Sequence, residues 1–132
     1  MKWKPVFLLA GFWLLLYTCT LAQEQELLPR TELEKAKQFT SLEKALETPD
    51  EVLVLDLFGS SYKELPASIT ELHNLQILYL FENQLSDLPV GFENLRNLQY
   101  LYLDGNRFSE LPLSVCQLPN LKELGLSRNQ LQ

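Results

Sequence analysis

The stretch "LQYLYLDGNRFSELP", residues 98–112, contains the pattern that decides the fold. Leu98, Leu101 and Leu103 precede Asn106 at fixed offsets. Leu101 and Leu103 alternate with other residues at a period of two, which places both on one face of a β-strand. The apolar residues at 108, 111, 115 and 118 then have spacings near three to four, as in a return segment with a short helical turn. The stretch therefore predicts one strand and one return that covers its leucines.

The same pattern recurs every 23 residues along the second half of the chain. The aligned leucines are Leu75, Leu98 and Leu121 at the first position, Leu78, Leu101 and Leu124 at the second, and Leu80, Leu103 and Leu126 at the third. The repeats are 52–74, 75–97, 98–120 and a partial 121–132. A repeat of this length cannot bury its apolar face alone, so the pattern predicts a solenoid in which neighbouring repeats stack.

An asparagine recurs with the same period, at Asn83, Asn106 and Asn129. The chain bends after each strand and leaves backbone groups facing inward. A buried asparagine carries one acceptor and two donors, so it can pair those groups within and between repeats. We expect these residues to form a structural ladder, with Ser60 as a weaker member in the first repeat.

These repeats resemble the leucine-rich repeat family in its 23-residue form, LxxLxLxxNxLxxLPxxIxxLxN. The resemblance covers residues 51–132, and the first repeat departs from the pattern at Ser60 and Tyr62. It implies an α/β fold, a leucine-rich repeat solenoid with a parallel concave sheet and short helical or irregular convex returns. It also implies recognition of protein ligands by the concave face. The segment "SLEKALETPDEVLVLDL", which leads into the first repeat, resembles the segment before the repeats of some secreted or envelope bacterial proteins. This resemblance favours a bacterial source.

Residues 1–22 have the pattern of a secretory signal peptide. Lys2 and Lys4 precede an uncharged apolar run from 6 to 17, and small residues at 20 and 22 precede Gln23. The run is too short for a stable membrane span, which needs about 20 residues. A bacterial lipid anchor at Cys19 is the alternative, although the residues before it are not small. The signal predicts a secreted, cell-envelope or periplasmic protein.

The segment between the signal and the repeats divides into a tether, 23–30, and an N-terminal helical cap, 31–50. Thr40 and Glu43 fit a capping box at the start of a helix that Pro49 ends. Phe39, Leu42, Ala45 and Leu46 share one face of that helix. We expect this face to cover the first repeat, because a solenoid needs a cap over its exposed end.

Composition and residue types argue against several classes of function. The formal net charge is −6, and removal of two signal-peptide lysines leaves −8, so nucleic acid is not an expected partner. His73 is the only histidine, and no phosphate loop or EF-hand string occurs. Asp56 and Asp104 fall two strands apart, too far for paired acid–base work. The sequence therefore predicts no cofactor, no metal and no enzyme activity.

The residues between the buried leucines of each strand should point away from the core, on the concave face. The candidate protein-binding residues are Phe58, Ile77, Tyr79, Phe81, Tyr100, Tyr102 and Asp104. We expect Tyr100 and Tyr102 to be exposed to solvent and to contact a protein ligand. Exposed apolar patches mark contact sites, and tyrosine is enriched at binding hot spots.

Three alternatives stay open at this point. The aromatic residues can simply suit strands and stiffen the sheet by stacking. The chain ends within the fourth repeat, so it can be a fragment, or the targeting part of a longer enzyme whose catalytic domain follows Gln132. The array can also be a structural spacer without a ligand.

Overall fold

The computed structural model describes residues 26–132. The signal peptide, the lipid-anchor alternative at Cys19 and the first residues of the tether lie outside the described part of the chain. Among residues 26–132, no helix is both long and apolar enough to cross a membrane.

Five short parallel strands form one sheet, in chain order. They are β1 (Gln38–Phe39), β2 (Val54–Asp56), β3 (Ile77–Tyr79), β4 (Tyr100–Tyr102) and β5 (Glu123–Gly125). From β2 onward, residues that lie side by side are 23 apart in sequence, as for Leu78, Leu101 and Leu124. The register therefore follows the sequence repeat, and the prediction of a leucine-rich repeat solenoid with a parallel sheet is confirmed.

The segments that return from one strand to the next are short and helical. They are the 3-10 helices Ala67–Glu71 and Phe92–Asn94 and the α-helix α3 (Leu113–Cys116). Pro66 and Pro112 precede two of them in extended conformation, with φ of −57° and −60°. Each of these helices buries one apolar side chain in the core, namely Ile69, Phe92 or Val115.

A left-handed residue follows each strand from β2 onward, at the same position of the repeat. Gly59, Glu82, Gly105 and Arg128 have φ of 61°, 53°, 68° and 55°. Glycine adopts this conformation without strain, whereas Glu82 and Arg128 adopt it less readily. The turn directs the next residues back under the sheet and brings the asparagine inward.

The asparagine ladder has the predicted form at Asn83, Asn106 and Asn129, whereas the expected place of Ser60 in it is wrong, because Ser60 is exposed. The amide nitrogen of Asn106 donates to the carbonyl oxygens of Leu80 at 2.8 Å and Leu103 at 3.0 Å. Its amide oxygen accepts from the backbone N–H of Leu85 at 3.0 Å. Asn83 and Asn129 make the equivalent bonds one repeat before and one repeat after. Each asparagine thus connects its own turn with the preceding repeat.

A second ladder runs along the return segments and was not predicted. Asn74, Asn97 and Asn120 each donate to a carbonyl oxygen 24 residues earlier, at 2.8, 3.0 and 2.7 Å. These side chains are half-buried, so water competes for their bonds. In the first ladder, here called the inner ladder, Asn83 and Asn106 are buried and Asn129 is half-buried. We expect the inner ladder to contribute more to stability.

The N-terminal cap differs in detail from the prediction. Helix α2 spans Leu42–Glu47, and its N-cap is Ser41, whose hydroxyl accepts from the backbone N–H of Lys44 at 3.5 Å. The predicted capping box at Thr40 is therefore wrong by one residue. Thr40 instead follows β1, a strand that the sequence did not reveal and that pairs with β2.

The apolar residues of the cap pack on the first repeat as expected, although Phe39 lies in β1 and not in the helix. Phe39, Leu42 and Ala45 belong to the same buried cluster as Val52 and Leu55. At the other end of the stack, the core leucines of the fourth repeat, Leu121, Leu124 and Leu126, are only partly buried. Within the described residues, β5 pairs on one side only, with β4.

Candidate protein-binding face

The concave face consists of three rows of side chains that cross the sheet. The first row is Val54, Ile77, Tyr100 and Glu123, and the second is Asp56, Tyr79, Tyr102 and Gly125. The third row is Phe58, Phe81, Asp104 and Ser127, just beyond the strands, where the carbonyl oxygens of Phe81, Asp104 and Ser127 accept from the N–H groups of Gly59, Glu82 and Gly105 in the preceding repeat. Neighbouring strands lie about 4.8 Å apart, so adjacent side chains in a row touch.

The chain's own N-terminal segment covers the first row. Residues 26–36, here called the N-terminal strap, include helix α1 (Arg30–Leu33). Leu28, Leu33 and Ala36 of the strap pack with Ile77 and Tyr100 in a second apolar cluster, separate from the main core. The strap leaves Ile77 0% exposed and Tyr100 9% exposed.

The prediction that Tyr100 and Tyr102 are exposed to solvent is therefore wrong. Tyr102 is 8% exposed, and Ile77 is also covered. The predicted tether, 23–30, is wrong for its described part, because residues 26–30 lie against the sheet. The first row is covered, and residues 26–30 are not a free tether, because the strap packs Leu28 and Leu33 against Ile77 and Tyr100. The binding role of these residues stays a prediction.

Two buried glutamines hold the strap in place. The side chain of Gln76 accepts from the N–H of Leu28 at 2.9 Å and donates to the carbonyl of Glu26 at 3.0 Å. Gln99 donates to the carbonyl of Leu28 at 2.9 Å and to Gln76 at 2.7 Å. Sequence reasoning missed both residues. Their spacing of 23 was the available signal, since glutamine at a buried repeat position needs polar partners.

Arg30 anchors the strap to the aromatic side chains. Its guanidinium lies 4.8 Å from the centre of the Tyr100 ring and donates a hydrogen bond to the hydroxyl of Tyr102. It also pairs with Glu34 at 3.0 Å and with Glu123 at 3.1 Å. The concave face thus already binds one guanidinium, by a cation–π contact and carboxylate pairing together.

Three aromatic rings stack across the second and third rows. Tyr79 and Tyr102 lie 5.1 Å apart with an angle of 9° between their planes. Phe81 lies 5.1 Å from Tyr102 and 5.8 Å from Tyr79. The expected stacking of aromatic residues is therefore present. It fixes the ring orientations, while Tyr79 and Phe81 each remain half-exposed.

The part of the concave face that the strap leaves open is formed by four predicted residues. We call Phe58, Tyr79, Phe81 and Asp104 the open patch. Phe58 is 63% exposed, which is unusual for a large apolar side chain, and lies one repeat before Phe81 at the same position. The other three are half-exposed. Of the seven predicted site residues, these four are the ones accessible to a partner.

Two carboxylates of the concave face, Asp104 within the open patch and Asp56 beside it, have no cationic partner among residues 26–132. Asp56 accepts from the N–H of Phe58 at 2.9 Å and from the side chain of Gln38 at 3.2 Å. Asp104 accepts from the N–H of Ser127 at 3.0 Å with one oxygen, while its other oxygen is buried without a hydrogen-bond partner. That oxygen occupies the space that Gly125 leaves, since a Cβ there would collide with it.

Burial changes the acidity of two tyrosines on this face. Desolvation raises the pKa of Tyr79 above its ordinary value of 10.0, while the positive charge of Arg30 lowers that pKa by less. Desolvation also raises the pKa of Tyr102, with a further rise from its hydrogen bond to Glu123 and a lowering by Arg30. Both phenols are therefore neutral at physiological pH, and the half-exposed ring of Tyr79 is an uncharged contact surface.

The described residues contain no group of three or more histidine, cysteine, aspartate or glutamate side chains that could hold a metal ion. Cys116 is an exposed free thiol on the convex side of the stack. The open patch therefore offers stacking, hydrogen bonding and negative charge as its means of recognition.

Comparisons with known proteins agree with this architecture. A family model described as leucine rich repeat matches residues 51–108, and a second, described as leucine rich repeats (2 copies), matches residues 96–132. The two matches together span the predicted repeats. The chain belongs to the leucine-rich repeat family. Domains of this family are typically non-enzymatic and generally mediate protein–protein interactions.

One solved structure that resembles the chain is that of a leucine-rich repeat protein from Leptospira interrogans. The two are 29% identical, with a TM-score of 0.36, and the match covers 70% of this chain. It covers 36% of the Leptospira chain, so this chain spans about a third of the length of that relative. No curated protein matches the sequence.

Proposed function

We propose that this chain is a protein-binding module that recognises its ligand with the open patch of the concave face. The observation that carries the proposal is the exposure of Phe58, at 63%, beside half-exposed Tyr79 and Phe81. Large apolar side chains that are exposed together usually mark a contact site. Aromatic residues are also the most frequent binding hot spots.

The stack under the open patch supports this role. Tyr79 and Phe81 pack on Tyr102, which is itself fixed by Arg30 and Glu123. Rings that are already ordered lose little conformational entropy when a partner covers them. The strap contributes indirectly, because it orders Tyr102 and leaves the open patch accessible.

The proposal includes a location outside the cytoplasm, in the secreted fraction or the cell envelope. The support is the signal-peptide pattern of residues 1–22, which lies outside the described residues. A structural spacer is the alternative function, and it predicts that changes in the open patch affect no partner. Targeting of a longer enzyme is compatible with the same binding surface.

A capture experiment with paired variants tests the proposal. Phe58→Ser with Phe81→Ser removes exposed aromatic area from the open patch. Val90→Ser with Leu113→Ser removes comparable apolar area elsewhere, because Val90 is 95% and Leu113 is 80% exposed. The parent and both double variants are immobilised, and proteins from an extracellular or envelope extract are captured and identified.

We expect the parent and the Val90/Leu113 variant to capture the same partner and the Phe58/Phe81 variant to lose it. Truncation of an aromatic hot spot typically costs about 2 kcal/mol or more of binding free energy. Thermal melting of each variant checks that the fold is intact. A folded Phe58/Phe81 variant that retains the partner at parental affinity overturns the proposal and favours the spacer function.

A further inference from the structure

We infer that the ligand of the open patch is a protein segment that presents a cationic side chain, arginine in preference to lysine, to Tyr79 and Phe81. This inference rests on the proposed function and names the chemistry of the partner. It follows from the aromatic surface, from the carboxylates around it and from the way the face already binds Arg30.

The concave face already contacts one guanidinium, that of Arg30 in the same chain. Arg30 lies over Tyr100, bonds to Tyr102 and pairs with Glu123, so ring, hydroxyl and carboxylate act together on one side chain. Neighbouring positions of the second and third rows offer similar groups. Tyr79 and Phe81 offer half-exposed rings, and Asp56 and Asp104 offer carboxylates beside them.

The charge around the open patch is negative. Glu34, Asp56 and Glu123 are the carboxylates close enough to act on the Tyr79 phenol, against Arg30 alone as a cation. Arg30 already pairs with Glu34 and Glu123. Asp56 and Asp104 occur in none of the ion pairs within residues 26–132. An approaching cation would therefore find two carboxylates that are not yet neutralised.

The geometry favours arginine over lysine. A guanidinium is planar and can stack on an aromatic ring while its N–H groups bond to carboxylates at the edge. Asp56 lies beside Tyr79 on the neighbouring strand, and Asp104 lies beside Phe81 at the other side of the patch.

Synthetic hexapeptides provide defined probes for a test on the full chain. Hexaarginine, hexalysine and hexaglutamate are titrated into the protein near physiological ionic strength, where long-range attraction is screened beyond about 8 Å. Calorimetry gives the affinity, and the ring signals of Tyr79, assigned with Tyr79→Phe, report contact. We expect hexaarginine to bind more tightly than hexalysine and to shift the Tyr79 signals, and hexaglutamate not to bind.

Two double variants with the same change in net charge separate a site from general attraction. Asp56→Asn with Asp104→Asn neutralises the open patch, and Glu64→Gln with Glu110→Gln neutralises two exposed carboxylates outside the concave face. We expect the first pair to weaken hexaarginine binding about fivefold and the second to change it less than twofold. Tyr79→Ser should also weaken it about fivefold, through loss of the cation–π contact.

Equal losses in both charge variants, or absence of hexaarginine binding, would overturn the inference. The proposed function is tested separately from this inference, because the capture experiment changes Phe58 and Phe81 and leaves the charge of the open patch unaltered. A partner that is lost with those aromatic residues but bound normally by the Asp56/Asp104 variant leaves the proposed function intact and refutes the cationic partner.

Discussion

The guanidinium of Arg30 donates a hydrogen bond to the hydroxyl of Tyr102, a residue 72 positions later in the chain. This contact lies between the covered and the open parts of the concave face. On one side, the N-terminal strap covers the first row and buries Tyr100. On the other side, the open patch remains accessible, with its rings ordered by the stack on Tyr102.

Arg30→Ala should destabilise the fold by about 1–2 kcal/mol, because it removes a cation–π contact and a partly buried hydrogen bond. Lys35→Ala is the matched control, since the Lys35–Glu32 pair is exposed and contributes about 0–1 kcal/mol. Urea unfolding gives both free energies. Equal midpoints for the two variants would show that the strap is not held by Arg30.

Asn106→Ala should destabilise the fold more than Asn97→Ala. Loss of Asn106 leaves buried backbone groups of Leu80, Leu85 and Leu103 without this partner, at a cost of about 1–3 kcal/mol. Asn97 makes a single side-chain hydrogen bond, to the carbonyl oxygen of His73, and this bond is exposed to solvent. Urea midpoints again provide the comparison. Indistinguishable values would refute the larger contribution of the inner ladder to stability.

The stability of the fold should decrease at alkaline pH through Tyr79 and Tyr102. Their pKa values are raised in the folded state, mainly by burial, so the neutral phenols stabilise the native state. This stabilisation is complete below the unfolded-state pKa of about 10 and is lost as the pH rises through the higher folded-state pKa. Unfolding free energies between about pH 8 and pH 12 measure the loss.

Glu123→Gln provides the control for this titration. The Glu123 carboxylate raises the pKa of Tyr102, so its neutralisation should lower that pKa toward the ordinary value. Spectrophotometric titration of the phenols follows the change. A pKa of Tyr102 that stays the same or rises in the variant would contradict the assigned cause.

Signal cleavage should leave Gln23 as the first residue of the mature protein. The small residues at 20 and 22 motivate the prediction. Mass analysis of the secreted or envelope-bound protein identifies its N-terminus. A lipidated Cys19 at that position would replace free secretion with membrane anchoring.

The repeat and its register were predictable because they depend on a local pattern. Leu101 and Leu103 alternate within one strand, and the period of 23 residues fixes which strands lie side by side. The same period predicted an asparagine ladder between repeats, although the structure shows that Asn106 bonds to the preceding repeat and not to the next one. Nothing beyond nearest-neighbour stacking was needed for these conclusions.

The covering of Tyr100 and Tyr102 was not predictable in this way. Their contacts with the strap join residues about 70 positions apart, and no periodicity links Arg30 to the repeats. The available signs were indirect: Leu28 and Leu33 are apolar residues in a segment interpreted as tether and cap, and Gln99 is polar at a position that proved fully buried. The capping error at Thr40 has a simpler cause, because adjacent threonine and serine are both good N-caps.

The most direct test of the account is the footprint of the captured partner on the side chains of this protein. Ring and methyl signals are recorded by NMR with and without the partner. The account predicts shifts for Phe58, Tyr79 and Phe81, with the methyl signals of Val90 and Leu113 unchanged. Shifts at Val90 and Leu113, with the signals of the open patch unaffected, would contradict it.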